Sequence, residues 1–385
     1  MTIERAYLDW NATTPLRPEA RAAMTQAFDV TGNPSSVHGE GRTARRIVER
    51  ARAQVAALAG ADAAQVTFTS GGTEANMLAL SPGWSASAAG GWDRLLVSAI
   101  EHPSVLQGGR FVPDRVKRLA VTAQGIVDLA ALRRELQAGP ALVSIMLANN
   151  ETGIVQPIRE AADIVHEANG LLHVDAVQGP GRIACDIKVL GADLLTLSAH
   201  KLGGPKGIGA LIRREGLHLP DPLIRGGGQE RGLRAGTENV AGIAGLGAAA
   251  EAAGRSPATE VPMARLRDRL EAGLKVATPD LIVFGADVDR LPNTTLFTHP
   301  GLRAETAVIA FDLAGVAVSS GAACSSGKVQ PSHVLAAMGV EAALAQGAVR
   351  VSLGHTTTEA EIDCCLNAWI KLSESLLKGR HVIAA

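Results

Sequence analysis

The chain is poor in cysteine and in aromatic residues, and neither sign of charge is in excess. Only four of its 385 residues are cysteine and no Cys/His cluster has zinc-site spacing, so a disulfide scaffold and a structural metal site are not expected. Aromatic residues make up 3%, which argues against a stacking platform for single-stranded nucleic acid. Lys plus Arg number 37 against 38 Asp plus Glu, so a nucleic-acid backbone is not expected as the main partner.

Long hydrophobic runs are also missing. No window of about 18 uncharged apolar residues is present, because the Ala/Gly-rich run after Val240 reaches Glu251 too soon. The first fifteen residues lack the basic and apolar stretches of a signal peptide. We therefore expect no membrane association and a cytoplasmic protein. With 46% apolar and 19% charged residues, the composition predicts a sizeable buried core divided among about two or three domains.

Short apolar runs alternate with helical patterns between residues 60 and 215, which is typical of an α/β fold with a parallel sheet. The runs are nearly continuous in Val, Leu, Ile and Ala, as expected for strands covered by helices on both faces. The candidate strands are 95–100, 141–148, 171–176, 194–199 and 209–213. The candidate helices are 44–60 and 157–170, the second beginning at Pro157 and closing on Gly170.

A second, smaller α/β region is predicted to begin near Arg255. It contains an amphipathic helical pattern at 261–277, the apolar run AVRVSLG at 348–354 and a final helix after Glu359. The predicted division is a large domain at 14–255 and a small domain made of 1–13 and 256–385. A loop at about 319–331 in the small domain carries Cys324.

Two charged residues follow candidate strands and suggest a cofactor. Lys201 lies in LLTLSAHKLGGPKGIG, where a strand is followed by glycines that allow a ligand to approach the backbone. A lone lysine is usually a surface charge, but a lysine at this place can form a Schiff base with an aldehyde cofactor. Asp175 ends another strand, and its carboxylate would match the ring nitrogen of pyridoxal 5′-phosphate (PLP). Taken alone, Asp175 could equally cap a loop.

Two further motifs fit the same cofactor. Ser70-Gly-Gly-Thr73 leads into a helix, so backbone N–H groups there could bind a phosphate, although such a sequence also forms ordinary loops. His102 follows the strand at 95–100 in EHPSV. A histidine at a strand end is more often structural, but beside an aromatic cofactor it could stack on the ring and move protons.

These motifs together resemble one known family. The chain is similar to cysteine desulfurases of the NifS/IscS type, most of all to NifS, which are PLP enzymes of fold-type I in the class V aminotransferase group. The resemblance runs from about residue 6 to 365 and implies a large domain with a mainly parallel seven-stranded sheet. It is carried by LDWNATTP, GNPSSVH, TSGGTEANMLAL, EHPSV, NNETGIVQPI, HVDAVQ, LSAHKLGGPKGIGAL, RGGGQERGLRAGTENV, SSGAACSSGKVQPSHVLAAMGV and VRVSLG.

The resemblance implies a role for each matching residue. Lys201 would be the Schiff-base lysine, Asp175 the partner of the ring nitrogen, and His102 a stacking and acid–base group. Arg350 would bind the substrate carboxylate, and Asn11 lies in a segment that lines the substrate pocket. Gln178 and Asn150 would reach the phenolate edge of PLP, Gly72, Thr73, Ser198 and His200 would hold its phosphate, and Thr237 would reach the phosphate of the neighbouring subunit in a homodimer.

Cys324 decides which reaction is expected. Free cysteine is often a small buried hydrophobe, which suits Cys185, Cys364 and Cys365 better than a cysteine among Ser and Gly. In the implied mechanism, L-cysteine displaces Lys201 from PLP, and Lys201 or His102 removes the α-proton. The Cys324 thiolate then attacks the substrate sulfur, which leaves alanine and a Cys324 persulfide. The sulfur is handed to an acceptor as the loop moves.

The implied acceptor is an iron–sulfur scaffold protein of the NifU or IscU type, and the implied use is iron–sulfur cluster assembly, with nitrogen fixation as the finer expectation. No intrinsic metal is expected, although Cys324 could transiently bind iron in a nascent cluster. Two alternatives remain open: a selenocysteine lyase or aminotransferase with the same fold, for which Cys324 is dispensable, and a non-catalytic PLP-holding scaffold for sulfur trafficking.

Overall fold

A central sheet of seven strands organises most of the chain in the computed structural model, which describes residues 5–85, 91–219, 221–255, 260–321 and 331–383. The strands are β2 (Val66–Thr69), β3 (Leu95–Ser98), β4 (Val116–Leu119), β5 (Leu142–Ser144), β6 (Leu171–Asp175), β7 (Leu194–Ser198) and β8 (Gly209–Arg213). Their order across the sheet is β2-β8-β7-β6-β5-β3-β4. All five strands predicted in this region are confirmed.

Strand β8 is antiparallel to the other six strands of this sheet. It pairs antiparallel with both β7 and β2, whereas β7, β6, β5, β3 and β4 pair in parallel. The connection from β7 to β8 spans only residues 199–208 and contains one 3₁₀ turn, Ala199–Lys201. A parallel crossover needs about a dozen residues or more, so this short connection returns the chain in the opposite direction.

Helices cover both faces of this sheet, as the apolar runs predict. Leu96, Val143 and Leu195 join a core with helices on one face, while their neighbours Leu95 and Leu142 join a core on the other. The first core includes α1 (Pro18–Phe28), α2 (Gly39–Leu58), α5 (Leu129–Leu136), α6 (Ile158–Glu167), α7 (Ile187–Leu190) and α8 (Val240–Gly254), and the second includes α3 (Gly72–Ala79) and α4 (Pro103–Leu106).

A separate apolar core, distinct from the two cores on the faces of the central sheet, surrounds a smaller sheet. This antiparallel sheet has the order β12-β13-β10-β9, and the terminal strand β1 pairs in parallel with β11 beside it. The strands are β1 (Ala6–Tyr7), β9 (Ile282–Val283), β10 (Thr294–Thr298), β11 (Val316–Ala317), β12 (Ser319–Ser320) and β13 (Val349–Ser352). The remaining helices are α9 (Glu260–Ala277), α10 (Ala304–Leu313), α11 (His333–Ala337), α12 (Ala342–Ala345) and α13 (Glu359–Ile383).

Several predicted boundaries are wrong by a few residues. Helix α2 begins at Gly39, five residues before the prediction, because the His38 side chain accepts the Gly41 N–H and caps the first turn. Helix α6 ends at Glu167 because Asn169, with φ of 57°, takes the left-handed conformation before Gly170. The loop predicted at about 319–331 includes Ser319 and Ser320, which form β12, and its residues 322–330 lie outside the described residues. None of the helices in the described ranges combines the length and apolarity needed to cross a membrane.

Candidate active site

A cavity of about 280 Å³ lies at the carboxyl ends of the parallel strands. Loops that leave β3, β5, β6 and β7 meet there with the start of α3, because parallel strands direct their carboxyl ends to the same edge of a sheet. The predicted site residues that line the cavity are Asn11, Gly72, Thr73, His102, Asn150, Asp175, Gln178, Ser198, His200, Lys201 and Arg350.

The Asp175 carboxylate is a buried acceptor at the end of β6. Its Oδ2 accepts a hydrogen bond from Asn76 Nδ2 at 2.8 Å, and its Oδ1 accepts one from the Val177 N–H at 3.0 Å. The side chain is only 5% exposed, so these two donors replace the water that an ionised carboxylate needs. Asp175 is therefore held in one orientation at the wall of the cavity.

The Lys201 ammonium and the Gln178 amide meet at one backbone carbonyl. Lys201 Nζ donates to the carbonyls of Asn11 at 2.5 Å and Ala12 at 2.9 Å, and Gln178 Nε2 donates to the Asn11 carbonyl at 3.1 Å. The Asn11 side chain instead bonds to Thr294 at 2.9 Å. Asn11 thus lines the cavity as predicted, but it offers a backbone oxygen to Lys201 and Gln178.

The end of the cavity at the start of α3 suits an anion. Gly72 is the first residue of α3, whose free N–H groups and positive end favour negative charge. Ser198 and His200 line the cavity too, and together with Gly72 and Lys206 they line an adjoining opening. Burial, and then the charges of Lys201 and Lys206, lower the pKa of His200 to about 4. His200 is therefore a neutral hydrogen-bonding group at pH 7.

His102 caps the short helix α4 with its own ring. Its Nδ1 accepts the Ser104 backbone N–H at 3.1 Å and lies 2.8 Å from the Ser104 hydroxyl. Burial lowers the pKa of His102 most, and the charges of Lys201 and His333 lower it further against the opposing effect of Asp175. The ring is therefore neutral at pH 7.

Arg350 is 2% exposed and lies at the side of the cavity nearest the small sheet. Its terminal nitrogens donate to Asp9 Oδ1 at 2.7 Å and to the Asn150 carbonyl at 2.9 Å. Its Nε is buried without a hydrogen-bond partner in the part of the chain that the structure describes. An unpaired buried donor is costly, so this edge of the guanidinium is suited to a bound carboxylate.

Sequence reasoning missed four residues that support the site. Asn76 and Ser104 line the cavity, Lys206 faces its anion end, and Arg182 donates to the Gln178 side chain from behind. Lys206, Asn76 and Ser104 carried a signal, because they lie in the motifs LSAHKLGGPKGIGAL, TSGGTEANMLAL and EHPSV. Arg182 lies outside these motifs, four positions after Gln178, and the contact of Asn76 with Asp175 joins residues 99 positions apart.

Two predicted residues remain to be reported. Cys324 falls outside the described residues. Thr237 is exposed and is not part of the lining of the cavity. Cys185 and Cys365 are buried as expected, whereas Cys364 is partly exposed. Among the residues that the structure describes, no group of three or more His, Cys, Asp or Glu side chains could hold a metal ion.

Comparisons with known proteins agree with this geometry. Residues 6–364 match the family model described as aminotransferase class-V. The chain belongs to the class-V aminotransferase family. One relative of the chain is a protein from Cereibacter sphaeroides that is named cysteine desulfurase. It is 47% identical over 371 residues, or 94% of each chain. Another, named cysteine desulfurase IscS, from Dictyoglomus turgidum is 41% identical and covers 96% of this chain and 95% of the relative.

Solved structures give the same result. A NifS-like protein from Rickettsia africae has a TM-score of 0.88 and 37% identity, covering 96% of this chain and all of that one. This member of the class-V aminotransferase family is therefore a homologue of cysteine desulfurases along nearly its whole length, which confirms the resemblance and the α/β fold predicted from the motifs. Class-V aminotransferases and these homologues imply PLP as the general cofactor.

Proposed function

We propose that this protein is a cysteine desulfurase that converts L-cysteine to L-alanine and carries the sulfur as a Cys324 persulfide. One observation carries the proposal: an amine (Lys201), a buried carboxylate (Asp175) and a buried guanidinium (Arg350) line the same cavity. These are the groups needed to hold a PLP aldehyde, its ring nitrogen and an amino-acid carboxylate. The names of the relatives support the choice of substrate.

The residues present fit PLP by shape and by charge. Asp175 provides an acceptor at one end of the cavity, and the start of α3 provides N–H donors at the other. Room at this second end depends on Gly72, since a Cβ there would come within 3.2 Å of Val177 Cγ2 and 3.3 Å of Ser198 Cβ. When bound, PLP supplies an aldehyde that condenses with amines and a ring that takes up the electrons of a carbanion.

Each lining residue has a proposed task toward the cofactor. Lys201 would hold the aldehyde, Asp175 would keep a proton on the ring nitrogen, and His102 would lie against the ring. Gln178 and Asn150 would hold the phenolate edge. Gly72, Thr73, Ser198 and His200 would bind the phosphate, with Thr237 of this chain serving the cavity of a second copy.

Arg350 orients the substrate in the proposed reaction. Its buried Nε and the remaining hydrogens of its terminal nitrogens would bind the L-cysteine carboxylate, while Asp9 fixes the guanidinium plane. Lys201 Nζ, held over the cavity by two carbonyls, would move the proton at the substrate α-carbon.

Cys324 would accept the sulfur. Its thiolate would form an S–S bond with the substrate sulfur as the substrate C–S bond breaks, and the electron pair of the C–S bond would stay with the carbon. That carbon would take up one proton, equal to the proton that Cys324 lost in forming its thiolate, and the substrate thiol proton would stay with the persulfide. The described residue Gly321 precedes Cys324 by three positions and follows β12, in which Ser319 pairs with Arg350 of β13. Cys324 is therefore close in sequence to a strand that contacts the proposed carboxylate site.

The decisive experiment measures alanine and sulfide released from L-cysteine in the presence of a thiol reductant. The wild type is expected to release both in equal amounts, and Cys324→Ala is expected to lose sulfide while it retains the visible absorbance of bound PLP. Cys364→Ala is the matched control and should keep full activity. A Cys324→Ala variant that keeps its rate would favour a selenocysteine lyase, and a PLP-loaded wild type that releases no alanine would favour a scaffold or an aminotransferase.

We further propose that the sulfur serves iron–sulfur cluster assembly in the cytoplasm, with nitrogenase maturation as the specific use. A scaffold protein of the NifU or IscU type should take labelled sulfur from the loaded wild type but not from Cys324→Ala.

The active form would be a homodimer. Each chain would have residues 14–255 as its PLP-binding domain and residues 1–13 and 256–385 as its small domain. Sedimentation at the mass of one chain would contradict the homodimer.

A further inference from the structure

A continuous row of buried polar side chains crosses the central sheet and ends at His102. Ser144 on β5, His173 on β6 and Thr196 on β7 lie next to one another in the sheet interior, and all three are fully buried. Asn76 on α3 and Ser104 on α4 continue the row to the cavity. Apolar side chains would pack at these strand positions at lower cost, so the row calls for an explanation.

The direction of every hydrogen bond at the cavity end can be worked out. Asp175 accepts from Asn76 Nδ2 at 2.8 Å, so the amide nitrogen of Asn76 faces the carboxylate. The same Nδ2 donates its second hydrogen to Ser104 Oγ at 2.9 Å. Ser104 Oγ therefore accepts from Asn76, and its own hydrogen is left for His102 Nδ1 at 2.8 Å. The Ser104 backbone N–H, which can only donate, points to the same Nδ1.

The far end of the row is consistent with this direction. Thr196 Oγ1 donates to Asn76 Oδ1 at 2.6 Å, so Thr196 must accept from His173 Nε2 at 3.2 Å. Burial lowers the pKa of His173 to about 4, which leaves this ring neutral with a single proton. That proton lies on Nε2, and His173 Nδ1 accepts the Ser144 hydroxyl at 2.8 Å.

We propose that Ser104, Asn76 and Thr196 are positioning residues that hold His102 as the neutral ring with its proton on Nε2. Two donors occupy Nδ1, while Nε2 has no hydrogen-bond partner among the described residues and the ring lines the cavity. A ring in this state presents an N–H to a bound group. His102 is therefore a donor in its resting state, and it cannot take a proton at Nε2.

The row also connects the two sides of the site. The Asn76 amide holds Asp175 with one hydrogen and sets the Ser104 hydroxyl with the other. Because the Asp175 carboxylate fixes which way the amide faces, it also fixes the direction of the hydrogen bond to His102. Aligned hydrogen bonds polarise one another, so the Ser104 hydroxyl, which accepts from Asn76, is a stronger donor to His102 Nδ1 than an isolated hydroxyl.

The test uses ¹⁵N NMR of the purified chain labelled only in its histidine rings. There are 10 histidines, and the signals that disappear in His102→Asn belong to His102. At pH 7.5 we expect an unprotonated Nδ1 and a protonated Nε2. A protonated Nδ1 would overturn the proposal. This readout needs no substrate, so it stands apart from a failure of the proposed desulfurase activity.

Three variants test the row itself. Ser104→Ala should shift the Nδ1 signal toward that of a nitrogen with fewer hydrogen bonds, and Thr196→Val should give a smaller shift in the same direction. Thr298→Val is the matched control, because Thr298 is equally buried and its hydroxyl donates at 2.8 Å to Leu344 O, far from the row. No shift in Ser104→Ala would mean that the hydroxyl does not donate to Nδ1.

Kinetics separate a positioning role from a purely structural one. Acid–base groups contribute about 10²–10⁴-fold, so a misplaced donor in Ser104→Ala should lower kcat for alanine release about tenfold with KM unchanged. Ser104→Thr keeps the hydroxyl and should restore kcat. A Ser104→Ala variant with a shifted Nδ1 signal but the wild-type kcat would refute the positioning role.

Discussion

Glu151 makes the stability of this protein depend on pH in a direction opposite to that of most carboxylates. Its side chain is 3% exposed, and Oε2 accepts the Ser332 hydroxyl at 2.5 Å. Burial raises the pKa of Glu151 from its ordinary value of 4.5 to about 7, and the Ser332 hydroxyl and the charge of Arg350 only partly oppose this rise. The folded protein therefore favours the neutral carboxyl.

The sign of the effect follows from the two pKa values. Below about pH 4.5 the group carries its proton in both the folded and the unfolded chain, so it costs nothing. Between 4.5 and about 7 the unfolded chain releases the proton while the folded chain retains it, and the free energy of unfolding falls as pH rises. One pKa unit is worth about 1.36 kcal/mol, so the full loss above pH 7 is about 3 kcal/mol.

Glu151→Gln removes this dependence while keeping the shape of the side chain. We expect the variant to be more stable than the wild type at pH 8 by about 3 kcal/mol relative to their difference at pH 4.5. The comparison depends on the change with pH, because any altered hydrogen bond to Ser332 adds the same amount at every pH. Glu101, whose pKa burial also raises, is present in both proteins and cancels.

The assay is urea unfolding of both proteins from pH 4.5 to 8, followed by tryptophan fluorescence. Glu160→Gln is the matched control, because Glu160 is exposed on α6 and water solvates it in both states. Infrared difference spectra should also show a protonated carboxyl band that disappears near pH 7 in the wild type and is missing in Glu151→Gln. A stability difference that stays constant over this range would refute the reasoning.

Three other substitutions test contacts around the site. Glu230→Ala should lower the free energy of unfolding by about 3–5 kcal/mol in a denaturant titration, because Arg52 loses its bidentate buried partner at 2.6 and 2.9 Å and keeps only the more exposed Glu49 at 3.3 Å. Gly209→Ala should weaken PLP retention in a dialysis assay, since its Cβ would lie 2.5 Å from the backbone at the start of α3 and cost about 1–3 kcal/mol. Arg182→Met should weaken PLP retention by up to about tenfold in the same assay, because the Gln178 amide loses the donor that orients it. For each of the three variants, a free energy of unfolding or a PLP retention equal to that of the wild type would contradict the expectation.

The central sheet could be predicted because its strands are strong local signals. Continuous apolar runs marked β3, β5, β6, β7 and β8. Because parallel strands end at the same edge of a sheet, these runs also predicted that Asp175 and Lys201 lie close together although 26 positions separate them in the sequence. The direction of β8 could not be read in this way, because an apolar run marks a strand without indicating which way the strand runs. Its direction follows from the length of the preceding connection, which permits no crossover.

The supporting residues of the site carried no such signal. Asn76 and Thr196 are 120 positions apart, and their contact exists only because α3 packs over β7 at one register. Glu151 stands next to Asn150 in a recognised motif, yet its raised pKa comes from burial in the folded chain, and the Ser332 hydroxyl that partly opposes this rise is 181 positions away. Patterns along the chain predict which elements form, but partners of buried polar groups depend on how those elements pack.

The buried polar row illustrates what hydrogen bonds between distant segments of the chain contribute. Each side-chain donor from Ser144 to Ser104 has an acceptor, so only the Nε2 hydrogen of His102, which faces the cavity, is left for a bound group. Buried polar groups rarely increase stability over apolar ones of similar size, whereas they do fix one arrangement among several. Thr196→Val should lower the free energy of unfolding by about 1–3 kcal/mol for each of the buried groups it leaves unpaired, His173 Nε2 and Asn76 Oδ1. A row kept only for the sheet would show this loss without the shift of the His102 Nδ1 signal.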